Sequence, residues 1–184
     1  MMNKRCVIVS LVLTGVILLL PACKKEETPI SEKRIYATMK VIDKGEMVFE
    51  LTPDKSPKAV EQFVNVANEG FYNNLLFYHV SKGGVVQSGC PGNDGSGHHN
   101  KAVKASIDTA YHTARGDLMM NAHFTSDPTA VSSQFIILKQ PAPELDGKHP
   151  LIGRLIEGAA VLDSVHIGDT LLTVTIEEQK KSTN

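Results

Sequence analysis

Ser133-Gln134-Phe135-Ile136-Ile137, with Leu145-Asp146-Gly147-Lys148-His149 a short way downstream, is the stretch on which the reading of this 184-residue chain turns. The first segment has the composition of a strand, and successive side chains of a strand face opposite sides of the sheet. Gln134 and Ile136 therefore share one face, and Phe135 and Ile137 share the other. If the polar Gln134 lines a functional surface, Ile136 lines it too, and Phe135 belongs to the core.

Working outward, residues 34–41 are rich in β-formers, with Ile35, Ala37, Met39 and Val41 alternating against polar positions. Asp43-Lys44-Gly45 supplies a turn and 47–51 a second strand, which together read as a hairpin. Ser56-Pro57 fits a helix N-cap with proline in the first helical position. Ala59, Val60, Phe63, Val64 and Ala67 follow at helical spacing, and Gly70 closes the helix. Short β runs recur at 76–80, 84–88, 116–121, 134–138, 151–155 and 171–176, with one short helix at 159–166. Alternation places Phe77 with His79, and Val85 with Gln87. Many short strands with few helices predict a mostly β chain closed into a barrel, because closure removes exposed sheet edges.

The N-terminus reads as a lipoprotein signal. Lys4 and Arg5 precede an apolar run over 6–20, and Leu20-Pro21-Ala22-Cys23 has the form of a lipobox with lipidation at Cys23. A simple secretory signal cleaved near Ala22, or an uncleaved anchor, is the alternative. On the lipoprotein reading 1–22 is removed and 23–33, charged and without aromatics, is a flexible tether. Basic-then-acidic residues after the cysteine resemble surface-export signals, although a solvated charged linker is the better explanation. Residues 34–178 then form one domain and 179–184 a polar tail. The expected location is the bacterial cell envelope, with the membrane reached through Cys23. The net charge of -1 offers no basic face for nucleic acid. Cys90 is the one thiol outside the leader and lipobox, so it has no intramolecular disulfide partner. No oligomer interface is evident, and a monomer is expected.

Six blocks in order resemble the cyclophilins, the β-barrel peptidyl-prolyl isomerases, over nearly all of 34–178. They are Gly70-Phe71-Tyr72 after the helix, Phe77-Tyr78-His79-Val80, the segment 83–89 with Gln87, the glycine-rich loop 91–97, Gly116-Asp117-Leu118-Met119-Met120-Asn121-Ala122, and Gly153-Arg154-Leu155-Ile156-Glu157-Gly158, beside the Gln134 and His149 segments. The resemblance implies a closed antiparallel β-barrel of about eight strands with two helices. It also implies cis–trans isomerisation of X–Pro bonds in proline-containing polypeptide clients, with no cofactor.

That chemistry asks little of a nucleophile. The peptide bond resists rotation by ~18–20 kcal/mol because of C–N resonance, and X–Pro bonds isomerise in roughly tens to hundreds of seconds. A catalyst need only favour the twisted amide, by holding the proline ring, fixing the flanking chain and donating a hydrogen bond to the prolyl nitrogen once its lone pair is freed. By resemblance the groove comprises His79, Gly84, Val85, Gln87, Met120, Asn121, Gln134, Ile136, Leu145 and His149. His79 and Gln87 are the catalytic candidates. Val85, Met120, Asn121, Gln134, Ile136, Leu145 and His149 are the substrate-binding ones.

The departures from the family pattern are specific. His79 stands where the family has arginine, Gly84 and Ile136 where it has phenylalanine, Val85 where it has methionine, and Glu144 where many members have tryptophan. An aromatic ring buries ~150–250 Å², so proline binding is expected to weaken unless Phe124 or another loop residue fills the space. Histidine, with a reference pKa of ~6.5, is mostly neutral at neutral pH and donates more weakly than arginine. Losing a charge-assisted hydrogen bond costs about 1.5–3 kcal/mol, roughly ten- to hundredfold in rate. His79 either donates in place of arginine or only packs at the barrel rim. A peptide-binding module without turnover is thus an open alternative. So is a metal-binding role for His98, His99, His112 and His123, but adjacent residues of an extended segment point apart and no metal is expected.

Overall fold

The computed structural model describes residues 33–122 and 126–180. The expected signal, Cys23, most of the expected tether, His123 and Phe124 lie outside the described residues.

The chain forms a nine-stranded antiparallel sheet. β1 (Lys33–Val41), β2 (Gly45–Leu51), β10 (Leu151–Glu157), β7 (Asp117–Met120), β9 (Phe135–Leu138), β5 (Val85–Ser88) and β4 (His79–Val80) follow one another across it, and β11 (Thr170–Lys180) and β3 (Leu75–Leu76) lie beyond β1. The two edge strands, β3 and β4, are separated in the chain by only Phe77 and Tyr78. The sheet therefore curls strongly enough for its edges to be spanned by two residues. Counting β3 and β4 as one interrupted strand gives the expected eight. A small second sheet pairs β6 (Val103–Lys104) with β8 (Ala130–Val131). The sequence pattern did not reveal it, because two-residue strands carry no measurable period. The outer strands also reach one residue before and two residues past the expected limits of 34 and 178.

The β1–β2 hairpin runs in register from Ile35 opposite Leu51 to Val41 opposite Gly45, and Asp43 adopts a positive φ in the turn. The first helix, α1 (Pro57–Asn68), buries Ala59, Val60, Phe63, Val66 and Ala67. Ser56 occupies the N-cap position, but its hydroxyl makes no capping bond and is buried without a partner. The C-terminus ends as expected. Gly70, at φ +72°, donates to Ala67 O and Phe71 N–H to Val66 O, which satisfies two orphan carbonyls. A short 3₁₀ turn (Pro143–Leu145) and α2 (Ala159–Ser164) complete the regular structure. None of the described helices is long and apolar enough to cross a membrane.

The interior is filled by Met39, Met47, Phe49, Phe63, Tyr72, Phe77, Leu118, Met120, Phe135 and Ile137 with their neighbours. Phe63, Tyr72 and Phe135 form its aromatic centre, with ring centroids 5.3 to 6.0 Å apart. The Tyr72 hydroxyl donates to the buried Ser133 carbonyl at 3.0 Å, tying this centre to the start of β9.

Phe63→Ala is expected to lower stability by ~3–5 kcal/mol through cavity formation. Tyr72→Phe, which keeps the ring and strips the donor from Ser133, should cost only ~1–3 kcal/mol. Urea unfolding followed by circular dichroism checks both, with midpoints falling in that order.

Candidate active site

Residues directly opposite each other in a ladder point to the same side of the sheet. His79 pairs with Gln87, Gln87 with Ile136, Ile136 with Met119, and Met119 with Leu151. One row of side chains thus crosses β4, β5, β9, β7 and β10 on the outer face. The flanking row sets Val85 opposite Leu138. Met119, Ile136, Leu138, Ala142 and Leu151 form a second apolar cluster, separate from the interior, with Val85, Tyr111 and Leu145 packed against it.

Alternation on β9 is as expected: Phe135 and Ile137 point inward, Ile136 outward. Met120 is a correction. It lies fully buried in the interior cluster opposite Phe135, so it cannot line the outer groove. Met119 holds that place, and parity with Asn121 would have found it. A second correction concerns Phe77 and His79, which do not share a face. The strand breaks at 77–78, where the backbone of Phe77 bonds Asp169 O and Gly168 N–H on the β11 side. Phe77 is therefore interior, while His79 is exposed beside Gln87.

Gln134, only 4% exposed, uses its whole amide. Its Nε2 donates to Gly95 O at 2.8 Å and Gly97 O at 2.7 Å, and its Oε1 accepts from Tyr78 Oη and Asn121 Nδ2, each at 3.0 Å. The Asn121 backbone N–H also donates to Gln134 O at 2.8 Å. Burial pushes the Tyr78 phenol well above its ordinary range, which keeps it a donor at any physiological pH. Ile136 is 1% exposed and His149 5%, with His149 Nδ1 accepting the Ala122 N–H at 3.3 Å. The accessible strip is therefore His79, Gln87, Val85, Asn121 and Leu145. Gly84, at φ +81°, has the side chains of Lys139 and Gln140 within 3.1 Å of where its Cβ would sit, so Gln140 takes part of the space that a ring would fill.

The loop carrying Leu145 is pinned by a residue that sequence reasoning passed over. Asp146 Oδ1 accepts from both the backbone N–H and the hydroxyl of Thr113 at 2.8 Å, Oδ2 meets His112 Nδ1 at 2.7 Å, and Thr113 Oγ1 accepts from Ala142 N–H. These bonds, the Thr113 N–H foremost, hold the Asp146 carboxyl down at about 2. The histidines are dispersed. His98 Nδ1 lies against His99 O, His99 Nε2 meets Glu69, and His112 meets Asp146. Among the described residues no three groups converge on a metal position. Cys90 is buried, and its sulfur accepts the Gly97 N–H at 3.2 Å.

A strongly curled antiparallel sheet with an outer apolar row and a glycine-rich loop held by Gln134 points to the class. The family model for "Cyclophilin type peptidyl-prolyl cis-trans isomerase/CLD" matches residues 36–181. The chain belongs to the cyclophilin-type peptidyl-prolyl cis-trans isomerases. It is 34% identical over 135 residues to peptidyl-prolyl cis-trans isomerase B of Bacillus subtilis, covering 73% of this chain and 93% of that one. It is 40% identical over 147 residues to a Helicobacter pylori peptidyl-prolyl cis-trans isomerase, covering 77% and 86%. A Cryptosporidium parvum cyclophilin-type isomerase matches in structure with TM-score 0.71 at 24% identity, over 78% of this chain and 98% of that one.

Because the folded Asp146 carboxyl lies near 2 and an unfolded one near ~3.9, its contribution is present above pH ~4 and is lost as pH falls through about 2. Asp146→Asn should lower stability at pH 7 and flatten the acid limb between pH 4 and 2. Thermal melting across that range checks the sign.

Proposed function

We propose that this chain is an envelope-tethered prolyl isomerase with reduced turnover, in which His79 is the donor to the prolyl nitrogen. The single observation carrying this reading is the His79–Gln87 cross-strand pair. It sets an exposed N–H donor beside a half-buried amide at the accessible end of the groove, with Val85 and Leu145 as the apolar contacts left to a proline ring. A Cryptosporidium parvum cyclophilin structure, 25% identical with TM-score 0.68 and matching 77% of this chain and 98% of that one, was determined in the presence of the dipeptide Ala-Pro. That supports a proline-containing polypeptide as the substrate here.

Two features of the site support the reduced-turnover reading. A shorter imidazole stands in place of the family's forked guanidinium, and the floor position Ile136 is covered. A proline ring would rest on Val85 and Leu145 instead of entering a deep aromatic slot. Covering of Ile136 and His149 favours the second reading, a module that binds proline peptides without accelerating them. The envelope location rests on the signal and lipobox expected at Cys23.

Isomerisation of an X–Pro peptide by the domain beginning after Cys23 should be faster at pH 6 than at pH 8, fall in His79→Ala, and rise roughly ten- to hundredfold in His79→Arg. A flat pH profile with no loss in His79→Ala removes histidine from the donor role. Peptide binding without turnover selects the module. Separately, Cys23→Ser should shift the full chain from the membrane to the soluble fraction. Unchanged fractionation would overturn the lipid anchor.

A further inference from the structure

We infer that Tyr78 and Gln134 are positioning residues: together they lock the glycine-rich loop and Asn121 against the groove without touching the peptide. The inference rests on the groove being the working site.

Gln134 was expected to hold substrate, but its hydrogen-bonding capacity is already engaged within the protein. Two donors, Tyr78 Oη and Asn121 Nδ2, converge on Oε1, and two carbonyls, Gly95 and Gly97, accept from Nε2. Two carbonyl acceptors on one side and the Asn121 amide donor on the other fix the amide in this orientation, because a flip would set Oε1 against both carbonyls and Nε2 against Asn121 Nδ2. Gln134 is also almost wholly buried, so a peptide would have to displace internal bonds to reach it. An unmade bond to a buried amide is costly, which makes displacement unfavourable.

Tyr78 is the strut of this arrangement. It stands immediately before His79, at the break between the two sheet edges. Its ring lies under the loop, since a Cβ added at Gly95 would sit 3.2 Å from Tyr78 Cε2. Gly97 is then held from both sides, its carbonyl by Gln134 and its N–H by the Cys90 sulfur. Asn121 is held twice by Gln134, through side chain and through backbone. Loosening Tyr78 therefore removes one of the four bonds that hold the Gln134 amide between the loop and Asn121.

The test uses the full chain and the variants Tyr78→Phe, Gln134→Glu and Gln134→Ala. It measures kcat and KM on an Ala-Pro peptide, affinity for that peptide, and amide exchange at Ser96 and Gly97. Tyr78→Phe should lower kcat roughly three- to tenfold with KM little changed, the effect of one neutral hydrogen bond, and speed exchange at Ser96 and Gly97 by a similar factor. Gln134→Glu should do more, because it turns a carboxylate oxygen toward two carbonyls. If the parent shows no turnover while Tyr78→Phe still speeds exchange with peptide affinity little changed, the isomerase reading falls and the lock stands. Unmoved exchange in Tyr78→Phe, or a Gln134→Ala variant altered in KM alone, overturns the lock and returns Gln134 to the peptide.

Discussion

Everything in this structure depends on β9 being buried on both faces. Phe135 and Ile137 close the interior against Phe63 and Leu118, while Ile136 and Leu138 floor the outer cluster against Met119 and Leu151. A strand sealed on both sides cannot slip, because a shift of one residue would exchange every inward side chain for an outward one. The register of β9 with β5 and β7 therefore fixes which residues can meet on the outer face. The row from His79 to Leu151 is a consequence of that register and needs no device of its own.

Fixed register explains what the sequence made legible. Periodicity and turn chemistry located the hairpin, α1 with its Gly70 stop, and the inward–outward split of β9, all of which rest on local rules. Met120 failed because two methionines in succession carry no polarity contrast to mark the inner one. Only the parity of Asn121 held the answer. Phe77 and His79 failed for a different reason: alternation was extended through a break where the chain passes from one sheet edge to the other. Asp146 and Tyr78 were illegible because their partners, Thr113 and Gln134, lie 33 and 56 residues away. No local pattern encodes a hydrogen bond closed over that distance.

The two ends of the groove differ in physical character. Around Gln134 and Asp146 every polar atom discussed has a short, directional partner, so those segments are preorganised. His79 sits at the other end, exposed on a two-residue strand, with a long glutamine as its cross-strand neighbour. Preorganised donors stabilise a transition state cheaply because they need no reorganisation when charge develops. On the proposed reading, an exposed imidazole would instead have to shed water and settle into place in each turnover.

Substituting histidine for arginine thus changes two things together. The donor loses permanent charge, and it also loses the reach and forked geometry by which a guanidinium engages two acceptors at once. Charge can be restored by protonation, but the fork cannot. On the proposed reading, with the ring on Val85 and Leu145, the reach of the short imidazole toward the prolyl nitrogen would set the rate, and the covered floor at Ile136 would keep that ring from sinking deeper.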